Sequence, residues 1–175
     1  MLSISAPVSA FSLQGTTWER VGAEFGLDSY LLYAVALVES AKMSGSNKAR
    51  PFPLALHTPD GAMYPKDIIE AANLVNHYAA GNPKGIDVGV MQVNAGWHGQ
   101  RVEAITHLLD METNIRVGAE ILSETLRSSP DNIVIGVGRY HNWNDDRALA
   151  YGTRVMSVWS RLVILSESRG AGNEY

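Results

Sequence analysis

Tyr30-Leu31-Leu32-Tyr33-Ala34-Val35-Ala36-Leu37-Val38-Glu39-Ser40 is the stretch on which the reading of this chain turns. It is apolar all round, which marks a helix buried in a core rather than one lying on a surface. Asp28 or Ser29 stands where a cap is needed, so the expected helix runs from there to about Lys42. Its last turn carries Glu39. Carboxylates are almost never fully buried unless paired. Taking one out of water is costly, so the group tends to keep its proton. A carboxylic acid still neutral near pH 7 can donate that proton to a leaving group. The ordinary alternative is a helix-end glutamate that points to water. Two later segments bear on the choice: Asp87-Val88-Gly89-Val90-Met91-Gln92-Val93-Asn94 and Arg139-Tyr140-His141-Asn142.

On either side of this stretch, most of the chain repeats apolar residues at helical spacing. Thr16 and Glu19 form a capping box ahead of Trp18, Val21 and Phe25, and Gly26 is the stop. Residues 43–65 break the pattern with Ser, Gly, Asn and prolines. There Thr58-Pro59-Asp60-Gly61 lies between two apolar stretches, which predicts a small, irregular β-hairpin. Residues 66–80 return to helix, with Ile68, Ala72, Val75 and Ala79 expected on one face. A loop over 87–99 follows. Asp110 then caps a helix whose inward residues are Ile115, Ala119, Leu122 and Leu126. Pro130-Asp131 opens another to about Tyr140, in which Gly136 and Gly138 point to close packing against a neighbour. Asp145 or Asp146 caps a last helix with Ala148, Gly152, Val155, Trp159 and Leu162 as its buried stripe. The expected fold is mainly α with a small β-hairpin insertion: a flexible end over 1–15, one domain over 16–165 and a flexible tail over 166–175.

Size and composition agree with a single globular domain. The chain has 175 residues, 46% apolar and 18% charged, which suits a chain with a real core. The net charge of −4, with no basic cluster, argues against nucleic acid as a partner. The absence of cysteine excludes disulfides, thiolate metal sites and thiol catalysis. No apolar run reaches the length of a transmembrane span. The five histidines, at 57, 77, 98, 107 and 141, lack any metal-ligand spacing, so neither metal nor cofactor is expected. Val8-Ser9-Ala10 has the look of a signal-peptidase site, but no basic stretch precedes it. The end is either an export-signal remnant or a plain flexible terminus.

Within the second segment, Gln92 and Asn94 lie two apart, which in an extended strand puts both amides on one side. Gly89 allows a close backbone approach. In the third segment, Tyr140, His141, Asn142, Trp143 and Asn144 bring aromatic rings and amides together at a helix end. Each segment alone also reads as an ordinary loop or helix terminus.

Taken together and in this order, Glu39-Ser40, Gly89 to Asn94 and Tyr140-His141-Asn142 resemble the soluble-type lytic transglycosylases, which have a lysozyme-like fold. The resemblance covers about residues 16–160. It is greatest to the transglycosylases of conjugative and type IV secretion systems, through Arg50-Pro51-Phe52-Pro53-Leu54, Ile86 to Asn94, Trp97-His98 and Tyr140-His141. It implies a lysozyme-like α-helical domain that cleaves the β-1,4 bond between N-acetylmuramic acid and N-acetylglucosamine, leaving a 1,6-anhydromuramic end. The implied partners are peptidoglycan glycan strands, with secretion-system proteins as further candidates, and the implied location is the periplasm after export. By the same resemblance Glu39 is the catalytic acid/base. Tyr140 orients Glu39 or the acetamido group, Gln92 and Asn94 face the glycan with Met91 beneath it, and Ser40, His141 and Asn142 complete the substrate contacts. Two departures stand out. Tyr-His replaces the commoner Tyr-Asn. Gly89 follows Glu39 by 50 positions, more than in the simplest members, which suggests an enlarged cleft wall.

The chemistry suits one carboxylate. Retaining glycosidases need two carboxyl groups about 5–5.5 Å apart and inverting ones about 6.5–9.5 Å. Substrate-assisted enzymes escape this because the N-acetyl group of the sugar stabilises the cationic centre. The one acidic residue near the second segment is Asp87. A lysozyme-type hydrolase would use it to hold a water. In the transglycosylase reading it instead accepts backbone N–H bonds ahead of Gln92. A non-catalytic glycan-binding or assembly module is the third reading, and such a module has no need of the acid.

Overall fold

The computed structural model describes residues 11–43 and 49–167. Val8-Ser9-Ala10, and the tail beyond 167, lie outside the described residues.

Helix α1 (Thr17–Phe25) starts at Thr16, whose hydroxyl accepts from the Glu19 N–H, and stops at Gly26 in the left-handed conformation at φ 66°. The box is offset by one residue: the Glu19 carboxylate reaches back to the Gly15 N–H at 2.7 Å. Helix α2 (Ser29–Ser40) is capped by the Asp28 carboxylate, which accepts from the Leu31 N–H. It ends two residues before the expected Lys42, because Ala41–Met43 leaves the helix to form strand β1. This strand pairs with β2 (Ala49–Pro51). Leu31, Leu32, Ala34, Val35 and Ala36 are buried, as the apolar run requires.

The expected hairpin is present as β3 (Leu56–Thr58) and β4 (Gly61–Met63). Helix α3 (Ile68–Gly81) follows, but it turns Ala71 and Val75 inward and leaves Ile68 exposed. Of the four expected residues, Val75 is buried and Ala72 and Ala79 are partly buried against the core; Ala71, not Ile68, completes the packed face. The 87–99 stretch is more ordered than a loop. It forms β5 (Asp87–Val88) and β6 (Val93–Asn94), then the one-turn helix α4 (Ala95–His98). The sheet order is β4-β3-β5-β6, antiparallel throughout. Its register puts Leu56, Val88 and Val93 in one buried row and Ala62, His57, Asp87 and Asn94 in the other. Strand alternation thus gives the sheet one core face and one free face.

Helix α5 (Met111–Arg127) is capped by Asp110 and buries Ile115, Ala119 and Leu122. Helix α6 (Ile133–Gly138) is capped by Asn132, not by the Pro130-Asp131 pair. Helix α7 (Asp145–Glu167) receives its cap from Asn144, whose side chain accepts from the Arg147 N–H. Its buried stripe holds Ala148, Gly152, Val155 and Leu162, together with Tyr151, which the spacing argument passed over. A β-carbon at Gly138 would lie 2.0 Å from the Ala148 carbonyl oxygen, so α6 and α7 meet backbone to backbone there.

Residues 11–15 and 166–167, expected within the flexible ends, are ordered. Phe11 packs against Tyr30 and Tyr33, and Leu13 is buried, so 11–15 belong to the packed domain. Residues 166–167 continue α7. The class is mainly α with a small antiparallel sheet, as the sequence predicts.

Candidate active site

The three sequence segments meet at the backbone of residues 90–91. The Ser40 hydroxyl, at the end of α2, donates to the Val90 carbonyl at 2.7 Å. The Tyr140 hydroxyl, just after α6, donates to the Met91 carbonyl at 2.8 Å. From α5, the buried Asn114 amide accepts from the Met91 N–H at 2.7 Å and donates to the Val88 and Leu108 carbonyls, both at 2.8 Å. A buried amide with its bonds made is a strong and specific tie. The turn itself needs Gly89. Its φ is 81°, and a β-carbon there would sit 2.3 Å from the Asn114 side chain. At its other end Gln92 takes φ 48°, the left-handed region where a side chain is strained.

This stitching leaves Glu39 deep in a cleft of about 1040 Å³. The free row of the sheet supplies Ala62, His57, Asp87 and Asn94, and Tyr64 follows β4. The turn between α6 and α7 supplies Tyr140, His141, Asn142 and Trp143. Trp97 and His98 come from α4. Loss of water raises the Glu39 carboxyl to about 7, helped by the negative charge of Asp87. Two groups oppose the rise: the hydrogen bond from Tyr151 and the positive charge of Arg154. The Tyr151 hydroxyl donates to Glu39 Oε1 at 2.5 Å. Burial, then the Glu39 charge, push its own pKa far up, so it keeps its proton and stays a donor. His141 stacks flat on the Tyr151 ring at 4.8 Å. Desolvation, then Arg154, hold His141 below the usual histidine range, so it is neutral at pH 7.

Several expected contacts take a different form. Tyr140 does not bond Glu39; its hydroxyl is committed to the Met91 carbonyl, and Tyr151 holds the acid instead. Ser40 is buried and bonds backbone, so it is a fastener between α2 and the turn rather than a substrate contact. Met91 is fully buried, packed where a β-carbon on Gly118 would lie 2.7 Å from it, so it supports the turn from below. Asn94 lines the cleft, but its amide donates to the Lys84 carbonyl and to Asp87 Oδ1, while its oxygen caps α4. It has nothing left to offer a sugar. Gln92 donates to the Ala55 and Gly89 carbonyls at 3.0 and 2.8 Å, which leaves its oxygen as an acceptor at the cleft. The Asn142 oxygen accepts from the Asn144 N–H, which leaves its NH2 free. Asp87 accepts from a side chain, Asn94, and not from the backbone N–H groups expected of it. It also stands 3.5 Å from His57 Nδ1.

Tyr151 and Asn114 are the residues that sequence reasoning missed. Each has a signal in hindsight: a tyrosine one position from the α7 stripe, and an asparagine on the inward face of α5. No protein-family model, curated protein or solved structure matches the chain.

Proposed function

We propose that this protein is a peptidoglycan lytic transglycosylase with Glu39 as its single acid/base. The observation that carries the reading is the Glu39 carboxyl itself. It is desolvated deep in the cleft, raised to about 7, and held by a tyrosine hydroxyl. A carboxyl in that range can give a proton and take one back near neutral pH. In the proposed reaction Glu39 protonates the glycosidic oxygen as the C1–O bond breaks. The acetamido oxygen of the muramic sugar shields the cationic C1. The Glu39 carboxylate then removes the proton of that sugar's 6-hydroxyl as O6 bonds to C1, which closes the 1,6-anhydro ring and restores the acid. No water enters. Gln92 Oε1 and the Asn142 NH2 are the free polar groups placed for the acetamido and hydroxyl groups.

Export to the periplasm and service to a secretion or conjugation apparatus accompany the reading through the sequence resemblance. Glu39→Gln keeps the shape of the side chain but cannot deliver a proton. It is expected to abolish clearing of cell-wall sacculi while the fold persists. Activity within about twofold of the parent would sink the assignment of Glu39.

Asp87 supports a second reading, a lysozyme-type muramidase. It lines the same cleft and its charge acts on Glu39. In that reading Asp87 holds a water or shields C1, and Asp87→Asn costs several orders of magnitude in rate. In the transglycosylase reading the substitution costs on the order of 1 kcal/mol of stability, because the bond from Asn94 loses its charged acceptor, and only a modest loss of rate.

A further inference from the structure

Trp143 lines the cleft with 64% of its surface exposed, an unusual state for the largest apolar side chain. It is not loose. The Arg139 guanidinium lies over the indole with its Cζ 5.1 Å from the ring centroid. Arg139 is itself anchored: it donates to the Ser128 carbonyl at 2.9 Å and to the Ser128 hydroxyl at 3.2 Å, and stands 3.6 Å from Asp145. One face of the indole is therefore backed by a fixed cation. The ring is braced on a short turn between α6 and α7, with the free Asn142 NH2 beside it.

We propose that Trp143 is a stacking platform for one N-acetylhexosamine ring of a glycan chain, with Arg139 as the residue that positions it. This rests on the reading of the cleft as a glycan site and names a subsite within it. The chemistry selects the occupant. An aromatic face attracts positive edges. With a guanidinium already against the indole, a second cation is poorly received. A neutral ring with weakly positive C–H groups is accepted, and the Asn142 NH2 can donate to its hydroxyl or acetamido oxygen. A flat, rigid side chain also loses little conformational freedom on binding.

The test measures binding of chitohexaose by calorimetry to the Glu39→Gln protein, so that turnover does not intervene. Adding Trp143→Ala is expected to weaken binding on the order of tenfold. Trp143→Phe, which keeps a smaller face, should recover part of the loss. Arg139→Lys, which keeps the charge but not the planar stack, should weaken binding by an intermediate amount. In the active enzyme Trp143→Ala should raise KM on sacculi with little change in kcat, as expected of a contact made equally in ground and transition states. Affinity of the Trp143→Ala protein within about twofold of its Glu39→Gln parent overturns the platform. So does a parent that binds no chitohexaose. If the platform behaves as described but the active enzyme yields no anhydro products, the subsite stands and the transglycosylase reading alone falls.

Discussion

Glu39 sits between influences of opposite sign, and each can be removed separately. Desolvation and the charge of Asp87 favour its neutral form, whereas Tyr151 and Arg154 favour the carboxylate. As the acid must be protonated to act, activity should fall as pH rises through about 7. Tyr151→Phe removes a bond that stabilises the charged form. The alkaline limb of the pH–rate profile should then move to higher pH, with turnover reduced on the order of tenfold because the carboxyl is no longer aimed. Asp87→Asn removes a repelling charge, so the same limb should move to lower pH. Opposite shifts in the two variants are the signature; shifts in the same direction, or none, would contradict the electrostatics described here. The sequence marked Glu39 because an acid ending so apolar a run is conspicuous in one dimension. It did not mark Tyr151, 112 residues away, whose role exists only after α7 packs against α2.

At the scale of elements, the site depends on how closely helices approach. Tyr151 rides on α7, and α7 is placed by its backbone contact with α6 at Gly138. A methyl group there would overlap the Ala148 carbonyl, so α7 must shift or the pair must separate. Gly138→Ala is expected to cost about 3 kcal/mol in a denaturant titration and to lower activity beyond what stability explains. A neutral substitution would mean that the helices have slack. This packing was legible in part: the weak helix former Gly138 signalled close contact, and the apolar period located α5 and α7. The sheet was less so. Strands β5 and β6 are two residues each, too short for alternation to register. The Gln92 and Asn94 amides read as glycan contacts because sequence spacing shows which side a residue takes, not which bonds are already made. Asn94 and Ser40 are spent on the fold, and only the three-dimensional accounting of partners reveals it.

At the scale of the whole molecule, an acid kept protonated by its surroundings is a standing cost to the fold. The folded pKa of Glu39, about 7, exceeds its ordinary value of 4.5, so the folded state holds its proton more tightly. By linkage, this contribution to stability is fully present below 4.5 and is lost as pH rises through 7. The span corresponds to at most about 3 kcal/mol. Glu39→Gln should therefore melt higher than the parent at pH 8, with the gain fading by pH 5. Equal melting temperatures at both pH values would show that Glu39 is an ordinary solvated carboxylate.

In the proposed reaction one carboxyl cleaves the glycan and closes the 1,6-anhydro ring without water. Mass spectrometry of the fragments released from purified sacculi tests it most directly. The expected products are muropeptides ending in 1,6-anhydromuramic acid, one water lighter than hydrolytic products, and none from the Glu39→Gln protein. Reducing muramic ends as the main product would contradict this reaction and make Asp87 the second carboxylate of a hydrolase.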